Sequence, residues 1–112
     1  MNKISYDERV KVYTDALKTF GAEIQLVVAL EELSEVQKEI CKALRGEIHP
    51  AALAEEVADA TIMLEQVRLI FSVNPWVCEQ MDAKVERLRQ RIEQANAQPE
   101  EEKTESGLIE EE

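Results

Sequence analysis

Two short acidic words stand out in this chain, Glu32-Leu-Ser-Glu35 and Glu56-Val-Ala-Asp59. In each, the two carboxylates are three residues apart, so on a helix they project from one face, one turn apart. Between the words lies a break at Gly46 to Pro50, where one helix can end and another begin. Two antiparallel helices joined there would turn the words toward each other and bring four carboxylates into one small volume. Oxygen-only ligands without His or Cys select hard cations, so the pattern points to Mg²⁺, with Mn²⁺ as substitute. Without an ion the clustered acids would repel and drive one another's pKa upward. The competing reading is a solvated acidic face, because any single ExxE is common on helices rich in Glu. Against it, both words carry their acids at or beside an apolar stripe, which solvated faces rarely do.

A second constellation is basic. Lys84, Arg87 and Arg91 line one shoulder of a later apolar stripe and are a natural complement for phosphate oxygens. Solvated cations or salt bridges to nearby acids are the alternative. Lys38 and Lys42 read as surface residues, with Lys42 the nearer to the acidic stripe. His49 reads as an exposed loop histidine, Trp76 as a packing anchor opening a helix, and Cys41 and Cys78 as free thiols with no base beside them; a disulfide stays open. Gln25, two turns before Glu32 on the same stripe, is a weak candidate for a base or phosphate contact. The chain has no Gly-rich phosphate loop, which excludes a P-loop NTPase.

Four helices are expected to position these residues. The first, about Ser5 to Thr19, carries the stripe Tyr6, Val10, Tyr13, Leu17 and Phe20, with Ser5 and Glu8 as a capping pair and Gly21 as its stop. The second, about Ala22 to Arg45, has an apolar arc of Leu26, Leu30, Leu33, Val36, Ile40 and Leu44. Gln25, Val28, Glu32, Glu35 and Glu39 form a stripe on the shoulder of that arc, while Glu31, Ser34 and Lys38 face solvent. The third, about Ala51 to Ser72, has the stripe Leu53, Val57, Ala60, Leu64, Val67 and Phe71, with Glu56 near its middle and Asp59 at its edge. An unpaired carboxylate there costs several kcal/mol, roughly, unless it is protonated or bound. Ala58, Ile62 and Leu69 give this helix a second apolar side, which suggests a partner subunit. Asn74-Pro75 starts a fourth helix, running to about Asn96 on Val77, Met81, Val85, Leu88 and Ile92.

The 112 residues suit one domain of helical composition, residues 1–96, followed by an acidic tail, 97–112, expected to be disordered. The tail holds seven Glu and one Lys, so more than half of the net charge of −11 is local to it. A mildly acidic domain argues against nucleic acid or an anionic membrane as main partner. No apolar run is long enough to span a bilayer and no signal-like segment opens the chain, so a cytoplasmic protein is expected.

The run EELSEV followed by EEVAD resembles the signature of the MazG-like all-α nucleoside triphosphate pyrophosphohydrolases, the superfamily that also includes dimeric dUTPases. That signature is E-x-x-E, a variable spacer, then E-x-x-D on adjacent antiparallel helices. The similarity covers about residues 22 to 91, from the second helix to the late KVERLRQR stretch. The resemblance implies a four-helix antiparallel core completed by oligomerisation, as a homodimer or homotetramer. It implies Glu32, Glu35, Glu56 and Asp59 as Mg²⁺ ligands, with Lys84 and Arg87, and more weakly Arg91, on substrate phosphates. The implied reaction takes (deoxy)nucleoside triphosphates to the monophosphate and pyrophosphate, in the service of nucleotide-pool cleansing. Either Glu35 or Glu31 could take the proton of the attacking water, and the residues do not choose between them. They do not identify a base-binding residue. A pyrimidine-restricted dUTP or dCTP pyrophosphatase and a catalytically silent helical interaction module are the two alternatives.

Overall fold

The computed structural model describes residues 3–98. These form α1 (Tyr6–Phe20), α2 (Ala22–Leu44), α3 (Pro50–Ile70) and α4 (Asn74–Asn96), with no strand among the described residues. The chain is all-α, and each helix lies within a residue or two of its expected span. The expected disordered tail lies, from residue 99 on, outside the described residues.

The helix ends follow from the local sequence. Ser5 Oγ accepts the Glu8 amide N–H at 3.1 Å and donates to Glu8 Oε1 at 3.0 Å, the expected capping pair. At the end of α2 the Gly46 N–H donates to the Ala43 carbonyl at 3.0 Å, and the Glu47 N–H to the Lys42 carbonyl at 2.9 Å. This closure needs a left-handed residue, and Gly46 supplies it with φ 90°. The end of α3 repeats the motif with Ser72 at φ 54°, the Val73 N–H reaching the Arg68 carbonyl at 3.0 Å.

The chain divides after Val73 into two compact units. In the first, α2 and α3 pack along most of their length, with α1 against them. The pairing is antiparallel: Gln25, near the start of α2, donates its side-chain amide to Gln66, near the end of α3, at 2.7 Å. The seam is not the leucine arc expected for α2. Gln25, Ala29 and Glu39 are the buried residues of that helix, whereas Leu30 is 69% and Leu44 71% exposed. On α3 the buried residues are Ala60, Met63 and Gln66, while Val57, Leu64 and Phe71 are exposed.

α2 has therefore turned relative to expectation, with Gln25, Ala29 and Glu39 rather than the leucine arc buried in the seam, while on α3 Ala60 of the expected stripe is joined by Met63 and Gln66. Ala29 and Ala60 explain the choice, since short side chains let two helix backbones approach closely. The larger residues swing to one side, where Leu33, Val36, Val57 and Leu64 border an open groove of about 350 Å³.

α1 covers part of the second apolar side of α3. Its one buried residue, Tyr13, donates its hydroxyl to Glu65, and Arg9 reaches the same carboxylate at 3.4 Å. Burial, followed by this hydrogen bond and the Glu65 charge, pushes the Tyr13 phenol from 10.0 up to about 12. Because the folded value lies above the unfolded one, Tyr13 stabilises the fold fully below pH 10 and progressively less as the pH rises to about 12. Alkaline unfolding should therefore bring a loss of stability through this window that Tyr13→Phe lacks, as read by denaturant titration at successive pH values.

In the second unit, α4 buries none of its residues. Its expected stripe is present but open, with Met81, Val85, Leu88 and Ile92 all exposed. Among the described residues no helix is long and apolar enough to cross a membrane.

Candidate metal centre

The turned seam places the two acidic words in the α2–α3 interface. The register set by Gln25 and Gln66 continues along the pair, bringing Glu32 opposite Asp59 and Glu35 opposite Glu56. One carboxylate oxygen from each of Glu32, Glu56 and Asp59 lies within 4.8 Å of the others. Glu32 and Glu56 are half-buried and Asp59 is exposed, so the group sits at the rim of the seam and opens to solvent.

Electrostatics register the crowding. The Glu32 carboxyl is raised above its ordinary value by burial first, then by the charges of Asp59, Glu35 and Glu31. Glu56 is raised by burial, then by Glu35, Glu32, Asp59 and Glu39. No cation among the described residues forms a salt bridge with Glu32, Glu35, Glu56 or Asp59. Four carboxylates thus share a rim without a countercharge.

The donor set fits a hard divalent ion. It is all oxygen, and it is negative enough to repay the stripping of water from such an ion. Octahedral Mg²⁺ holds its ligands at about 2.1 Å, which puts ligand oxygens about 3–4 Å apart. The three oxygens, all within 4.8 Å of one another, lie near that spacing.

The other candidate residues are distributed as follows. Glu35 is half-buried beside the triad, close enough to raise both Glu32 and Glu56, although its oxygens fall outside the 4.8 Å group. Glu31 is exposed on the outer side of α2. Lys84, Arg87 and Arg91 are all exposed on one side of α4, and none makes an ion pair with another described residue. Gln25 is buried and donates its amide N–H to Gln66. His49 and Trp76 are exposed, and Cys41 and Cys78 are free thiols.

Two features were not singled out from the sequence. Glu39 is buried on the seam, one turn beyond Glu35, with Lys42 Nζ 3.3 Å from its Oε2. Lys42 is accordingly half-buried rather than a free surface lysine. The signal for Glu39 was its place on the acidic stripe; the second is the triangle of Tyr13, Glu65 and Arg9, which had no local signal.

No family model, curated protein or solved structure matches the chain.

Proposed function

We propose that this chain is a small Mg²⁺-dependent nucleoside triphosphate pyrophosphohydrolase of the MazG-like all-α type, acting in the cytoplasm on unwanted nucleotides. The observation that carries the reading is the convergence of Glu32, Glu56 and Asp59 at an interface rim, with Glu35 beside them and no cation paired to any of the four. The resemblance of the two acidic words to the family signature supports it independently.

In this reading Glu32, Glu35, Glu56 and Asp59 hold the ion. A bound Mg²⁺ would neutralise triphosphate oxygens and lower the pKa of a water. Water adds to one phosphorus of the α–β bridge, that bridging P–O bond breaks, and the nucleoside monophosphate and pyrophosphate leave. Glu35 or Glu31 accepts the proton of the water. Lys84, Arg87 and Arg91 bind phosphate oxygens, and the exposed apolar residues of α2, α3 and α4 are covered in a homodimer or homotetramer.

A second reading draws on that same apolar surface. Residues as large as Leu30, Leu44, Phe71 and Trp76 are more than half exposed, which also suits a helical interaction module without catalysis. A panel of ribo- and deoxynucleoside triphosphates, incubated with and without Mg²⁺ and analysed by product, separates the two. Pyrophosphate released with the monophosphate only when Mg²⁺ is present is the expected result. Release confined to dUTP or dCTP would identify a pyrimidine-restricted enzyme, and no release from any nucleotide would leave the interaction module.

A further inference from the structure

Glu39 is only 9% exposed, and it lies on the face of α2 that carries Glu32 and Glu35 toward α3. A carboxylate buried to that degree is costly unless it is paired. Its partner is Lys42, one turn on, at 3.3 Å. The ion centre therefore has a fifth carboxylate at its edge that differs from the other four in one respect: it carries its own countercharge. Its proximity is felt at Glu56, where the Glu39 charge is among those that raise the carboxyl.

We propose that Lys42 sets the divalent-ion affinity of the centre by neutralising Glu39, so that four negative charges rather than five act on the ion. This rests on the ion-binding part of the function proposed above and not on the nucleotide chemistry. A unit charge about one helical turn from a divalent ion, screened at the dielectric of the bulk water to which the rim opens, shifts binding by about tenfold. Lys42 thereby keeps the ion affinity moderate. Lys42 acts through Glu39, so it is a positioning residue and not a catalytic one.

The test is a charge cycle on the full chain, read by calorimetric titration and thermal shift with Mg²⁺ and Mn²⁺. Lys42→Met should tighten ion binding about tenfold, and Glu39→Gln should weaken it about tenfold. The double variant should return to within about threefold of wild type, because it removes a neutral pair, and Lys42→Arg should match wild type. A merely structural pair gives another pattern, in which both single variants weaken binding or neither changes it, and that result overturns the proposal. Should Lys42→Met not fold, Glu39→Gln alone decides, since unchanged or tighter binding in it refutes the charge argument. Wild-type protein that binds neither ion would overturn the ion centre itself. Wild-type binding with a failed cycle would remove only the role of Lys42.

Discussion

Glu56→Gln is expected to abolish Mg²⁺-dependent turnover while giving a protein that melts higher than wild type in ion-free buffer. The two effects have one cause. Glu56 is half-buried on the α2–α3 seam, and its carboxylate is raised by burial and by four neighbouring acids. Glutamine keeps the shape and the polar end but removes one charge from a rim that has no countercharge. Ion-free repulsion falls, so stability rises. The same change removes one ligand of the ion, and a Lewis acid supplies several kcal/mol of transition-state stabilisation, roughly three factors of ten in rate. Glu31→Gln is the control. Glu31 is exposed and outside the group of converging oxygens, so its loss should leave the ion-dependent melting shift in place. A fall in turnover in Glu31→Gln with that shift intact would assign the proton acceptor to Glu31, whereas unchanged turnover would leave Glu35. Comparable activity of wild type and Glu56→Gln would end the enzymatic reading.

The helices and the acidic cluster were legible for different reasons. Helix bounds are local chemistry: Ser5 with Glu8, Gly21, Gly46 and Pro50 mark ends within a few residues of themselves. The pairing of the two acidic words was also legible, because three-residue spacing and a short turn at Gly46 leave an antiparallel hairpin little freedom. What could not be read was the rotation of α2 about its own axis. Periodicity gives the angle between the stripes of one helix but not which stripe meets the neighbour. The leucine arc outweighed its shoulder in hydrophobicity, yet Ala29 and Ala60 allowed the closer approach, with the acids at the rim of the seam. Glu39 followed from the same rotation. Glu65 meets Tyr13 from 52 residues away, a tertiary pairing that no local pattern announces.

The stability of the protein should respond to pH in opposite directions with and without a divalent ion. Without one, Glu32 and Glu56 have folded-state values above the ordinary 4.5, so their contribution to stability is fully present below that value. It is lost as the pH rises through the raised values, and the ion-free fold pays for its deprotonated rim at neutral pH. An ion binds only the deprotonated acids, so it reverses the preference and gains hold over the same pH range. At a hundred times its dissociation constant a ligand adds about 2.7 kcal/mol. Ligand-free and Mg²⁺-saturated melting curves should then nearly coincide in acid and diverge steadily above the carboxylate range. The other acids titrate in both series, so the difference between the curves isolates the rim. Glu56→Gln should flatten that difference, because it removes both a titrating group and a ligand. A constant offset at all pH values would mean that Mg²⁺ acts elsewhere on this acidic chain, by screening its net charge of −11 rather than by occupying the rim.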